Sequence, residues 1–252
     1  MSLVKSDGTE LYYEAYGSGA ALVFAHGGGG NAASWYQQVP HFSSRYRVIT
    51  FDHRGFGRSH CEPSEVVSTR FAADLLAILD DVGVTRAVIV AQSMGGWTAV
   101  GTALAAPDRV AGIVLANTPG PARSPEIDVA MRATRERVRT TGGLATAALA
   151  VDMGDREPAK AFLYAQISSF NRPIDLQTLL AREEPAGIDD LVVPVRMVVT
   201  DGDQLFPPAA LRSVAPRYRA EVVEISGAGH SAYFEKPDEF NALVDAFLEE
   251  ID

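Results

Sequence analysis

Short uninterrupted apolar runs recur through the first half of the chain, at Ala21–Ala25, 48–51, 87–91 and 112–116, with amphipathic stretches between them. Runs without polar alternation suit strands covered on both faces, so the pattern predicts a parallel sheet flanked by helices on each side. Between the second and third runs, residues 69–81 set Phe71, Leu75, Ile78 and Leu79 at helical spacing, and Gly83 supplies a stop. Strand texture returns at Val195–Thr200 and Glu221–Ile225, followed by a closing helix over 237–249.

The texture changes after Asn117. Pro119, Gly120, Pro121 and Pro125 interrupt regularity, and buried-strand runs are missing until Val192. Helical periodicity over 127–140, 144–153, Pro158–Ser169 and 175–182, punctuated by Gly142-Gly143, Gly154 and Pro173, predicts a small helical cap. The expected organisation is a core of residues 1–118 and 191–252 with a cap insertion at 119–190.

The chain has 252 residues and 47% hydrophobic content, enough for one α/β domain with a substantial core. Acidic residues outnumber basic ones by 32 to 22, and the net charge of −10 disfavours nucleic acid and anionic membranes as partners. A small neutral or weakly charged substrate fits better. A single cysteine, Cys61, excludes an intrachain disulfide and a multi-cysteine metal site, and reads as a loop residue. Neither a metal nor a cofactor is expected. Residues 1–8 lack an apolar leader and no later run spans a bilayer, so the expectation is a soluble cytoplasmic protein.

The third apolar run leads into Ala91-Gln92-Ser93-Met94-Gly95-Gly96. A serine at a sharp strand-to-helix turn needs small neighbours so that strand and helix can pass closely, the logic of the G-x-S-x-G nucleophile elbow. Ala91 replaces the first glycine and adds only a methyl. An ordinary βα turn is the plain alternative, so the other members of a serine site must be sought.

A serine hydroxyl needs a base to take its proton and an acid to orient that base. Of the five histidines, His26, His41, His53 and His60 lie early in the chain. His230 follows Gly227-Ala228-Gly229 after the last strand, where a glycine-rich loop can carry an imidazole over the elbow. Asp203 stands at the end of the 195–200 strand, with Asp201 as rival. The order Ser93, Asp203, His230 is that of α/β-hydrolase triads. His26-Gly27-Gly28-Gly29-Gly30 follows the first strong strand, where a backbone N–H must face a developing oxyanion. The N–H groups of Gly28 and Met94 are the expected donors, with Gly29 as substitute for Gly28. A phosphate loop is disfavoured, because Gly30 is not followed by Lys and Ser or Thr.

With these residues the chain resembles the α/β-hydrolase-fold serine hydrolases of the compact, short-capped kind. Asp52-His53-Arg54-Gly55-Phe56-Gly57-Arg58-Ser59 resembles their D-x-R-G-x-G-x-S segment, and the resemblance implies a loop-shaping rather than catalytic role for it. Residues 110–118, the Asp203 region and 227–237 share the resemblance, and the cap does not. Two departures stand out: Thr200 replaces a glycine common three positions before the acid, and Gly28 replaces an aromatic common after His-Gly. Within the family the chain looks similar to small carboxylesterases and 3-oxoadipate enol-lactonases. They imply attack by Ser93 on an ester, lactone or thioester, with water releasing the acid. Dehalogenases and epoxide hydrolases of this fold carry aspartate at the elbow. A cofactor-independent dioxygenase, a C–C bond hydrolase and a ligand receptor with little turnover are the alternatives on the same fold. Arg132, Arg135, Arg137 and Arg139 suit a solvated helix face better than a carboxylate site, and Trp35 and Trp97 suit packing better than a pocket wall.

Overall fold

The computed structural model describes residues 2–140, 143–172, 179 and 183–251. Its strands are β1 Ser2–Ser6, β2 Thr9–Tyr16, β3 Ala21–Ala25, β4 Arg47–Phe51, β5 Ala87–Gln92, β6 Val110–Ala116, β7 Val195–Thr200 and β8 Glu221–Ile225. Among the described residues they form one sheet in the order β1-β2-β4-β3-β5-β6-β7-β8. β1 and β2 are antiparallel to each other, β2 is antiparallel to β4, and the remaining pairings are parallel.

The helices are α1 Gln38–Phe42, α2 Phe71–Val82, α3 Gly95–Ala105, α4 Pro125–Thr140, α5 Leu144–Ala147, α6 Met153–Arg156, α7 Pro158–Ser169, α8 Pro208–Val214, α9 Ala232–Glu235 and α10 Pro237–Ile251. Strand side chains alternate between two apolar layers. Val23 and Ala25 face Leu75, Ile78 and Leu79 of α2 and Ala99 and Val100 of α3. Leu22 and Phe24 face the other layer, built with Phe42 of α1 and Phe240 and Val244 of α10. The central strands β3 to β7, so covered, have no water-facing side, which is why they read as unbroken apolar runs.

Sequence expectations and structure part in three places. The antiparallel pair β1–β2 leaves no mark in the apolar pattern, because β1 is mostly exposed and mixes Lys5 and Ser6 with Leu3 and Val4. α2 starts at Phe71, after a 3-10 turn at Ser68–Arg70, and ends where expected, with Gly83 in the left-handed region at φ +72°. The single helix expected over 144–153 is two short ones. α5 stops at Ala147 and α6 starts at Met153, because Leu149 O and Ala150 N bond the side chains of Gln204 and Glu235 instead of continuing a helical ladder. The helix expected over 175–182 lies outside the described residues apart from Leu179.

α4 through α7 all fall between β6 and β7. Ala148, Leu149, Met153, Tyr164 and Ile167 pack in one cluster with Phe24, Ala228 and Tyr233 of the sheet side. No helix among the described residues is long and apolar enough to cross a membrane.

Strand register positions the site. Ala25 pairs with Ala91, Gln92 with Ala116, Ala116 with Val198 and Thr200 with Ile225. The segments following β3, β5, β6, β7 and β8 therefore emerge together at one edge, where ligands of open α/β sheets gather.

Candidate active site

Ser93 follows β5 with φ at +50°, a conformation that a residue with a side chain adopts only under local constraint. Several bonds hold it. Ser93 N–H donates to Ala116 O at 3.1 Å, while its carbonyl accepts from Gly96 N–H at 3.0 Å and from Thr118 Oγ1 at 2.6 Å. A methyl group at Gly95 would overlap the carbonyl oxygen of Ala25, so α3 can start here only because it starts with glycine. Ala91 lies instead fully buried in the core layer.

The Asp203 carboxylate and the His230 imidazole, both buried, meet in the turns after β7 and β8: Nδ1 lies 2.9 Å from Oδ2. Nδ1–H donates to the carboxylate, which leaves Nε2 as the ring's acceptor; Nε2 is buried and has no partner among the described residues. Asp203 is held by three further donors. Asn117 Nδ2 reaches Oδ2 at 3.0 Å, and the N–H groups of Leu205 and Phe206 reach Oδ1 at 2.8 and 2.9 Å. Asp201 plays a different part. It is exposed and accepts the Gly227 N–H at 2.7 Å, closing the turn that leads to the histidine. Thr200, in place of a glycine, uses its hydroxyl to bond Gly229 O at 2.7 Å and to accept from Asn117 at 2.7 Å.

Gln92 joins the two halves. Its Nε2 donates to the His230 carbonyl at 2.9 Å, one residue from Ser93. A methyl group at Gly27 would overlap Gln92 Oε1 and lie 3.0 Å from Ser93 Cβ, so the glycine turn passes directly beside the serine. Gly30 N–H bonds Gly27 O at 3.0 Å, leaving Gly28 and Gly29 at the corner. Met94 caps the N-terminus of α3, where backbone N–H groups lack helical partners.

Two other histidines are structural. His26 donates through Nδ1 to Gly27 O at 2.7 Å and accepts the His53 N–H on Nε2 at 3.0 Å. Burial lowers its pKa, and burial next to His26 takes His53 well below the ordinary histidine value, so both stay neutral. Asp52 accepts the N–H of Ala32 at 2.6 Å and of Arg58 at 2.8 Å, Ser59 Oγ bonds Asp52 O at 2.7 Å, and buried Arg54 forks onto Asp74. The 52–59 segment is thus a knot of internal bonds against the glycine turn, the loop-shaping role its resemblance implied.

The four arginines of α4 are exposed, Arg139 pairing with Glu136 and Arg137 donating to Gln204 Oε1. Trp35 is fully buried between Phe24 and Tyr233. Trp97 is half-buried, four residues after Ser93 on α3, and packs with half-buried Cys61 against Phe56, Val66, Phe71, Met94 and Leu179. Sequence reasoning missed Asn117, Gln92 and Glu235. For Asn117 a signal existed: an asparagine directly after a buried strand tolerates the left-handed turn it takes here, φ +53°.

A doubly covered parallel sheet that delivers a strained serine and an Asp–His pair to one edge defines an α/β-hydrolase architecture. The chain belongs to the alpha/beta hydrolase family, whose model matches residues 22–243. Its similarities extend over nearly the whole length. It is 27% identical over 257 residues to RutD of Azorhizobium caulinodans, a protein named for carbamate hydrolysis, with 96% of each chain covered. It is 24% identical to 3-oxoadipate enol-lactonase 2 of Acinetobacter baylyi, covering 94% of this chain and 92% of that one. Among solved structures, Est816, described as an N-acyl homoserine lactone degrading enzyme, superposes with a TM-score of 0.81 at 28% identity, covering 98% of this chain and all of that one.

Proposed function

We propose that this chain is a serine hydrolase that cleaves a small ester, lactone or thioester through an acyl-enzyme intermediate. The observation that carries the reading is a buried imidazole whose Nδ1 is committed to Asp203 and whose backbone carbonyl accepts a bond from Gln92, the residue before a strained serine. In this reading His230 Nε2 takes the Ser93 proton as Oγ attacks the carbonyl carbon. Asp203 holds the tautomer and stabilises the imidazolium. The oxyanion forms against the N–H groups of Gly28 and Met94, each such donor being worth roughly 10²–10³ in rate. His230 then protonates the leaving group, and water, activated by the same base, releases the acid.

The names of the relatives point to a carbamate, an enol-lactone and an acyl homoserine lactone, each a carbonyl carbon bearing a heteroatom leaving group. The segment between β6 and β7 acts as the cap over this edge and sets selectivity.

Ser93→Ala is expected to abolish hydrolysis of a short-chain activated ester and labelling by a fluorophosphonate. Retained labelling would remove Ser93 from the role. Oxygen uptake that survives Ser93→Ala would favour the dioxygenase alternative instead.

A further inference from the structure

Glu235 ends α9 with its side chain wholly shielded from solvent. One of its oxygens, Oε1, accepts the N–H of Gly229 at 3.0 Å. The same carboxylate receives the N–H of Ala150, 3.3 Å from Oε1 and 3.2 Å from Oε2. Gly229 is the residue before His230, and Ala150 lies in the break between α5 and α6. A single buried carboxylate therefore bridges the histidine loop and the helical segment above it. The approach is close: a methyl group at Gly229 would overlap Ala150 N and lie 2.8 Å from Glu235 Oε1. On the other side Gln204, the residue after Asp203, donates to Leu149 O at 3.3 Å.

We propose that Glu235 is a positioning residue for the catalytic base: its ionised carboxylate holds the backbone that carries His230 and ties it to the 149–150 segment. The proposal rests on the assignment of His230 as base. No step of the hydrolysis itself uses Glu235, which touches neither Ser93 nor the reacting atoms.

An ionised carboxylate makes charge-assisted bonds to both N–H groups, and a protonated one loses part of that acceptor capacity. The groups facing it set where this change falls. Arg156 Nη2, from α6, lies 3.8 Å from Oε2. From α7, Lys160 Nζ donates to the Glu235 backbone carbonyl at 3.3 Å and pairs with Glu157 at 2.8 Å. The buried phenols of Tyr164 and Tyr233 complete the surroundings, Tyr164 bonding Ser231 at 3.0 Å. Burial pushes the Glu235 carboxyl up to about 7, against the pull of the Ala150 and Gly229 N–H groups and of Arg156. The latch is therefore strong above neutrality and weakens below it.

The test is Glu235→Gln in the full chain, assayed on an activated ester from about pH 6 to about pH 9. Glutamine keeps the size and an acceptor for Gly229 but carries no charge at any pH. The expected kcat ratio of wild type to variant is ~10-fold near pH 8.5, below the 10²-fold of a 1 Å misplacement, and close to one near pH 6. A ratio that stays constant across pH, or full kcat at about pH 8.5, overturns the proposal. Arg156→Gln gives an independent measurement should Glu235→Gln fail to fold. It should move the acid limb of kcat to higher pH while leaving the alkaline plateau unchanged, and an unmoved limb overturns the proposal. Ser93→Ala run in parallel separates the failures. Turnover that survives it sinks the serine triad, whereas a dead Ser93→Ala with a pH-independent Glu235→Gln ratio sinks only the role of Glu235.

Discussion

At the scale of single residues, the proposed acid, Asp203, is distinguished by what bonds it rather than by its place in Thr200-Asp201-Gly202-Asp203. Asp203 gathers His230, Asn117 and two backbone N–H groups, whereas Asp201 accepts one N–H at the surface. Asp203→Asn would set an amide against His230 Nδ1 and favour the wrong tautomer. The expected loss in kcat is ~10⁴-fold, the scale seen for such a change in another triad enzyme. Asp201→Asn should stay within a few-fold, because an amide oxygen can still accept the Gly227 N–H. Steady-state kinetics on one activated ester compares the two, and the reverse ranking would transfer the acid role to Asp201.

At the scale of elements, α3 begins where no side chain fits. Gly95→Ala should destabilise the fold by ~1–3 kcal/mol through overlap with the Ala25 carbonyl. The gain in helix propensity from replacing glycine, at most about 1 kcal/mol, is too small to offset it. Urea unfolding of both proteins measures the difference, and an unchanged midpoint would show that β3 and α3 can separate freely. How far elements were legible in sequence follows from burial. β3, β5 and β7 are buried at every position and β6 at all but one, so apolar runs alone reveal them. β1 has one face in water and no compensating alternation, and passes unseen. The break after Ala147 is invisible because its cause lies at Gln204 and Glu235, far along the chain. The same holds at the site. Ser93, Asp203 and His230 stood out as candidates from spacing and order, but the bonds made by Gln92 and Asn117 exist only once β5, β6 and β7 are side by side.

At the scale of the whole molecule, buried titratable groups pull stability in opposite directions with pH. His26 and His53 have lowered pKa values, so their contribution is present above the ordinary histidine range and is lost as pH falls below it. Glu235 is raised from 4.5 to about 7, so its contribution is complete below 4.5 and is lost as pH rises through 7. Its part of the loss between about pH 4.5 and 8 is on the order of 3 kcal/mol, at 1.36 kcal/mol per pKa unit. Urea titrations of wild type and Glu235→Gln should therefore converge in acid and diverge by about that amount at about pH 8, with the variant the more stable. Equal stability at both ends would mean that Glu235 ionises in the fold as it does in the unfolded chain. The sheet has one further consequence. β6 and β7 are parallel neighbours, so the chain leaves the core after Ala116 and re-enters it at Val195, opposite Ile113, one strand spacing aside and ~10 Å back along the sheet. Closing an excursion between such near points costs free energy that grows only with the logarithm of its length. The stretch over 119–190 can thus lengthen or shorten while the sheet is inherited unchanged. Descendants of such a gene can change what they recognise without reinventing how they react.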